Sequence, residues 1–383
     1  MTPRQRPRER ANAARLRDLQ AAGKVPGMLK LALIFGGRSA EHDISLASAA
    51  FVARMLDPQK YEVVPVGITR AGRWVRPADL GAALSGGLED TECEPVHLVI
   101  DPSRPGFADG AGSFTPIDFA FPIMHGTFAE DGTIQGLLEM AGVAYAGSGV
   151  VGSSVGMDKE LMKDVFAARG LPQVDYLVLR DAAATGPAAV AAVEERLAYP
   201  VFVKPVNLGS SVGMTKAHDG AELGPALELA ASYDRKVIIE ASSPGRELEC
   251  SLLGNGLPRA SVAGEVVPVN EFYDYESKYT EGMMSFEIPA PVGDEVQAEV
   301  GRLAAAAFVS LDCAGYARCD FFYEPDTGSV LLNEINTIPG MTAMSGFPRL
   351  WAASGVSNEA LVEEIVRLGL ERHAARSGLR TDQ

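Results

Sequence analysis

Cysteine is scarce in this chain. Of 383 residues only Cys93, Cys250, Cys313 and Cys319 are cysteines, with no Cys-x-x-Cys pair and no histidine close by. That pattern excludes a zinc motif and a disulfide framework, and reads as four small core residues. Positive charge is also short, 34 Lys and Arg against 50 Asp and Glu, a formal net charge of -16. Such a surface repels a phosphate backbone and an anionic membrane, so neither nucleic acid nor membrane is an expected partner. No run of about 18 apolar residues occurs, and the Arg-rich start is not followed by an apolar stretch. Neither a membrane span nor a secretory signal is therefore expected, and the expected location is the cytoplasm.

Apolar residues are plentiful, 47% of the chain, enough for two or three domains with a large core. Residues 1–27, rich in Arg, Ala and Pro, read as a disordered tail. A start at Met28 fits the same pattern, because Met28 opens directly into an apolar run. Leu29 to Phe35 predicts a strand ending at Gly36-Gly37, Ser45 to Leu56 a helix and Glu62 to Ile68 a second strand, the grammar of a βαβ unit. Ile117 to Met124 adds a buried strand and Gly132 to Ala141 a helix, completing an α/β domain over residues 28–152. A small α/β unit over 153–241 has helices near Lys159 to Arg169 and Ala221 to Tyr233, and strands near Asp175 to Leu179 and Val201 to Lys204. In 242–383, strands are expected near Glu247 to Leu253, Arg259 to Val267, Gly315 to Phe322 and Ser329 to Asn333. A long helix, Asp294 to Leu311, lies between them, and another near Asn358 to Leu370 ends the chain. Asn270 to Pro291 shows no period and reads as a long functional loop.

Four places carry residues suited to chemistry. Glu334 and Asn336 stand two apart on a strand, hence on one face, and Asp320 can join them from a neighbouring strand; hard oxygen ligands so placed suit magnesium, as solvated strand ends would also be placed. Lys204, at the end of an apolar run, leads into the small-residue loop to Gly213, which suits phosphate without being a Walker A motif and equally fits a flexible hairpin. Gly147 to Gly152 matches the dinucleotide fingerprint by letter, but only Val143 to Ala146 precedes it and Ser153 to Gly156 follows, so it reads as an interdomain turn. His125 to Gly132 follows a buried strand, at the sheet edge where open α/β proteins bind ligands; a structural histidine fits there as well.

In chain order, Gly36 to Asp43, His125 to Gly132, Met157-Asp158-Lys159, Lys204 to Gly213, Tyr273 to Tyr279, Arg318-Cys319-Asp320 and Asn333 to Gly340 resemble the D-alanine:D-alanine ligases over about Leu29 to Leu370. The resemblance implies an α/β and α+β fold, a Rossmann-like pre-ATP-grasp domain followed by the two subdomains of an ATP-grasp fold. It implies ATP-dependent ligation of two D-alanines through an acyl phosphate, for peptidoglycan precursors, with two magnesium ions for which manganese can substitute. By the same resemblance Asp320, Glu334 and Asn336 bind metal, while Lys159, Lys204, Glu240, Ala241, Glu247, Phe272, Lys278, Phe322, Asn333 and Glu334 serve ATP. Glu41 pairs with the first D-alanine's ammonium beside His125, and Ser345 and Lys278 meet the second substrate's carboxylate. Arg318 and the Gly340 N–H stabilise the oxyanion, and Ser210 and Tyr279 join Glu41 in a trio that closes two loops. A homodimer through the N-terminal domain is implied. The intact Tyr275-x-x-Lys278-Tyr279 pattern implies a dipeptide rather than a depsipeptide with D-lactate; Asp43 and Cys319 depart from the family's usual residues. Competing readings are an ATP-grasp ligase for another amino acid and a nucleotide-binding regulator without catalysis.

Overall fold

The computed structural model describes residues 28–268 and 284–380; the expectations for 1–27 and for Phe272, Lys278 and Tyr279 lie outside them. The first sheet grows from β1 (Leu29–Gly36), whose core residues Leu31 to Phe35 are fully buried. A strand apolar on both faces suits a parallel sheet covered on both sides. β1 pairs in parallel with β2 (Tyr61–Ile68) and β7 (Phe119–Pro122), and β7 with β8 (Ala144–Tyr145). Beyond β2 the sheet continues antiparallel through β3 (Trp74–Pro77), β4 (Cys93–Leu98), β5 (Gly106–Asp109) and β6 (Phe114–Pro116). Its order is β6-β5-β4-β3-β2-β1-β7-β8.

The second sheet is antiparallel, made of β9 (Tyr176–Arg180), β10 (Val201–Pro205), β11 (Thr215–Ala217) and β12 (Lys236–Ala241), in the order β11-β10-β12-β9. The third, also antiparallel, contains β13 (Arg246–Asn255), β14 (Arg259–Pro268), β15 (Met284–Glu287), β16 (Ala314–Glu324) and β17 (Ser329–Asn336), in the order β15-β14-β13-β16-β17. Under the third sheet Leu248, Cys250, Leu252, Cys319 and Leu332 form a core with the helix Asp294–Ser310. The first core does not stop at the first sheet. It joins Leu31, Phe35 and Phe121 to Tyr316, Ile338 and the helix Asn358–Ser377, so that helix packs back on the first sheet.

The structure corrects several expectations. The first helix begins at His42, and the strand expected over Ile117 to Met124 is only β7, since Ile117 N is taken by Pro105 O at 3.2 Å and beyond Pro122, among the described residues, only Ile123 N still donates to β1, to Ile34 O at 2.9 Å. The helix Val150–Met157 runs through the stretch read as a turn, opening after Gly149. The fingerprint reading still fails, since only the two-residue β8 precedes it; its glycines serve close packing, a Cβ on Gly152 falling 2.9 Å from Asp312 O. Inside Asn270 to Pro291, β15 pairs with β14. Cys250, Cys313 and Cys319 are buried and Cys93 half-buried, all as free thiols.

Candidate functional site

Cross-strand register builds the polar face of the third sheet. Arg318 lies opposite Asn336, Asp320 opposite Glu334, and Glu249 opposite Asp320. A bulge between Asp320 and Phe321 shifts the ladder by a residue, so Asn333 as well as Glu334 lines the cleft above. The Arg318 guanidinium forks onto Asp320, at 2.7 Å from Nε and 2.8 Å from Nη2, with Glu249 Oε1 3.4 Å from Nε. Asn336 Nδ2 donates to Asp320 Oδ2 at 2.9 Å, which leaves its amide oxygen available. Among the described residues no three His, Cys, Asp or Glu side chains form a metal cage. The donor set is two carboxylates and an amide oxygen, hard ligands that fit magnesium held jointly with substrate phosphates.

Between the second and third sheets opens a cleft of about 760 Å³, lined by Lys159, Lys204, Lys216, Glu247, Phe322 and Glu334 among others. Asp158 caps the helix Lys159–Ala168, accepting from Leu161 N at 3.1 Å, and is ion-paired with Lys236; this fixes Lys159, whose Nζ reaches Leu208 O at 2.8 Å and Glu334 at 3.7 Å. One turn on, Lys163 is buried and pairs with Glu240 Oε1 at 2.8 Å. Lys204 holds the other oxygen of Glu240. Burial alone would raise the Glu240 carboxyl, but Lys163 and Lys204 override it and hold it well below the usual range. The Glu240 side chain thus stands behind Lys204, and neither it nor Ala241 lines the cleft.

The loop after β10 turns back on the first domain. Ser210 and Ser211 adopt φ of 49° and 57°, and the Ser210 hydroxyl donates to Glu41 Oε1, so the phosphate-like loop and the first helix meet. Gly126, at φ 72°, lets the chain pass Glu41 where a Cβ would come within 2.6 Å of Oε2. Glu130 accepts from Gly126 N at 2.8 Å and Ile338 N at 3.3 Å. Its burial and the neighbouring Glu41 push its pKa up to about 8. Neither acid has an ion-pair partner among the described residues. His125 is buried, its pKa lowered by that burial, with Nδ1 3.0 Å from Ile338 O and Nε2 3.1 Å from Ser48 Oγ. Gly340 and Ser345 stand side by side, a Cβ on the first falling 3.1 Å from Ser345 Oγ, which also accepts from Thr342 N at 3.0 Å.

The structure therefore brings Glu41, His125, Ser210 and the Ile338 segment together, and places Arg318, Asp320, Glu334 and Asn336 on one strand face beside the lysine-lined cleft. Sequence reading did not name Lys163, although it lies one turn from Lys159 on the same helix face, nor Lys216, Glu249, Ser48 or Glu130 as site residues.

Known proteins agree with this architecture. The family model described as D-ala D-ala ligase N-terminus matches residues 30–148, and that of the D-ala D-ala ligase C-terminus matches residues 165–367. A D-alanine–D-alanine ligase of Thermoanaerobacter sp. is 47% identical over 90% of this chain and 97% of its own; one from Ruminiclostridium cellulolyticum is 44% identical over 90% and 96%. Among solved structures, the D-alanine-D-alanine ligase of Coxiella burnetii matches with a TM-score of 0.81 at 32% identity, covering 91% of this chain and 96% of that one. The VanG D-Ala:D-Ser ligase of Enterococcus faecalis matches with 0.82 at 33%, covering 90% and 100%. With both family models in place, and relatives matched along nearly their whole length, the chain belongs to the D-alanine–D-alanine ligase family.

Proposed function

We propose that this protein joins two D-alanine molecules at the expense of ATP: the carboxylate of the first takes the γ-phosphoryl group, leaving ADP, and the amine of the second then attacks the acyl phosphate to form the peptide bond as inorganic phosphate departs. The observation that carries the reading is an anionic pocket beside a cationic cleft. Glu41 and Glu130 crowd together with no ion-pair partner for either among the described residues, which suits the ammonium of an amino acid, while Lys159 and Lys204 line the cleft where phosphates fit. Glu41 orients the first D-alanine through its ammonium, so that its carboxylate meets the γ-phosphate in line. Lys159 and Lys204 neutralise the transferring phosphoryl charge, with Glu240 and Lys163 fixing Lys204 from behind. Asp320, Glu334 and Asn336 hold two magnesium ions, or manganese, which supply charge neutralisation and alignment of the phosphates. Arg318 and the Gly340 N–H meet the tetrahedral oxyanion, Ser345 receives the second substrate's carboxylate, and the Ser210–Glu41 contact keeps water from the acyl phosphate. We assign Glu247 to the ribose and Phe322 and Asn333 to the adenine region, and infer a cytoplasmic homodimer.

The test is ADP release across D- and L-amino acids. D-alanine with magnesium should release ADP and yield a dipeptide, even with D-lactate supplied, while L-alanine or a chelator should stop it. ADP release indifferent to D-alanine would sink the ligase reading.

A pH dependence follows from Glu130. Its pKa in the protein lies above the ordinary carboxyl value, so near neutrality it carries a proton that an arriving ammonium must displace. Binding of the first D-alanine is therefore coupled to proton release, and its KM should fall as pH rises from ~6 to ~8. Glu130→Gln, which cannot titrate, should flatten that limb; an equal slope in both proteins would refute the coupling.

A further inference from the structure

Gly340 has no side chain to anchor it, yet both flanks of its segment are tied to the first domain. Met341 N–H donates to Ser48 Oγ at 3.3 Å, and Ser48 lies 3.1 Å from His125 Nε2. His125 Nδ1 faces Ile338 O at 3.0 Å, and Ile338 N–H donates to Glu130 Oε1 at 3.3 Å. Gly126 N–H, next to His125 in the chain, donates to the other oxygen of Glu130 and closes the circuit. One proton arrangement satisfies both Ser48 and His125. The Ser48 hydroxyl, already accepting from Met341, donates to Nε2, and a neutral imidazole protonated at Nδ1 donates to the Ile338 carbonyl. Burial, which disfavours the imidazolium, agrees with that neutral tautomer.

We propose that Ser48, acting with His125 and Glu130, is a positioning residue that aims the Gly340 N–H at the developing oxyanion; this rests on the ligase reading above. Ser48 is fully buried in the helix His42–Met55. Glu41, at that helix's N-cap, precedes Ser48 by two turns and so lies on the same face. One rigid element therefore carries both the carboxylate that grips the first D-alanine's ammonium and the hydroxyl that fixes the backbone donor for its carbonyl. Ammonium partner and oxyanion donor keep their separation because a single helix sets both, although Gly340 itself belongs to the C-terminal part of the chain. A donor misplaced by an ångström is worth about a hundredfold in rate, which is the scale on which such a restraint matters.

Ser48→Ala in the full-length protein removes the acceptor of Met341 N–H and the donor to His125 together, with little change of volume. Steady-state kcat with D-alanine should drop about 10- to 100-fold, while affinity for a non-hydrolysable ATP analogue with magnesium stays at the wild-type value. Glu130→Gln, which keeps one acceptor oxygen of two, should lower kcat less and also spare nucleotide affinity. Wild-type kcat in Ser48→Ala, or a loss of nucleotide affinity matching the loss of rate, would overturn the proposal. Should Ser48→Ala not fold, Ser48→Cys, with a weaker donor and acceptor of similar shape, must show an intermediate kcat at unchanged nucleotide affinity, and a wild-type kcat there counts against it equally. Failure of the ligase reading would look different, since the wild-type protein would then release no ADP in response to D-alanine.

Discussion

Arg318→Ala should lower kcat by about 10²- to 10³-fold while ATP still binds. The guanidinium is held in advance by a fork onto Asp320 and by Glu249 across the neighbouring strand, so its charge need not reorganise when an oxyanion forms. Its place on β16, paired with β13 and β17, makes that aim a property of sheet register rather than of a loop. Alanine removes a charge wanted most in the tetrahedral state, which is why rate rather than nucleotide affinity should suffer. Lysine at this position restores charge without the planar fork and should recover only part of the loss. Steady-state kinetics alongside equilibrium binding of an ATP analogue decides the matter. A fall in nucleotide affinity as large as the fall in kcat would place Arg318 on the phosphates instead.

What sequence alone made legible here follows physical range. Leu29 to Phe35 and Glu62 to Ile68 are apolar runs with glycine or polar ends, the first buried on both faces and the second toward its Val66 to Ile68 end, and that burial decides their structure locally. The two-residue spacing of Glu334 and Asn336 foretold one face, and the register delivers it opposite Asp320 and Arg318. The bulge that also turns Asn333 to the cleft left no mark in the spacing. β3 to β6 are short and partly polar, so their pairing depends on neighbours that a window of sequence does not contain. Ser48 meets Met341 across 293 positions and His125 meets Ile338 across 213. Contacts of that span exist only because the first core includes the helix Asn358–Ser377, and no local pattern encodes them. Lys163 is a different case: helix periodicity placed it beside Lys159, and only its ordinary look on an amphipathic helix concealed it.

Lys163→Met should cost about 3–5 kcal/mol of stability, because it strips a counter-charge from a carboxylate that cannot reach water. Lys163 and Glu240 are 1% and 4% exposed at their side chains. Glu240 stays ionised against its burial chiefly through Lys163 and then Lys204. Without Lys163, the carboxylate must lean on Lys204 alone or take up a proton, and either outcome perturbs the lysine that faces the cleft. The sign with pH follows. Glu240 has a folded pKa below its unfolded one, so its stabilisation is present above the ordinary carboxyl range and is lost only as pH falls below it. The deficit of Lys163→Met should therefore be fully visible at neutral pH and shrink in acid. Lys163→Met/Glu240→Gln, which removes both charges, should lose less than the two single changes added together, as buried partners do. Thermal denaturation of the four proteins at neutral and acidic pH reads this directly. Simple additivity would mean that the lysine and the glutamate stabilise the fold independently, and that Lys204 owes its position in the cleft to something other than their pairing.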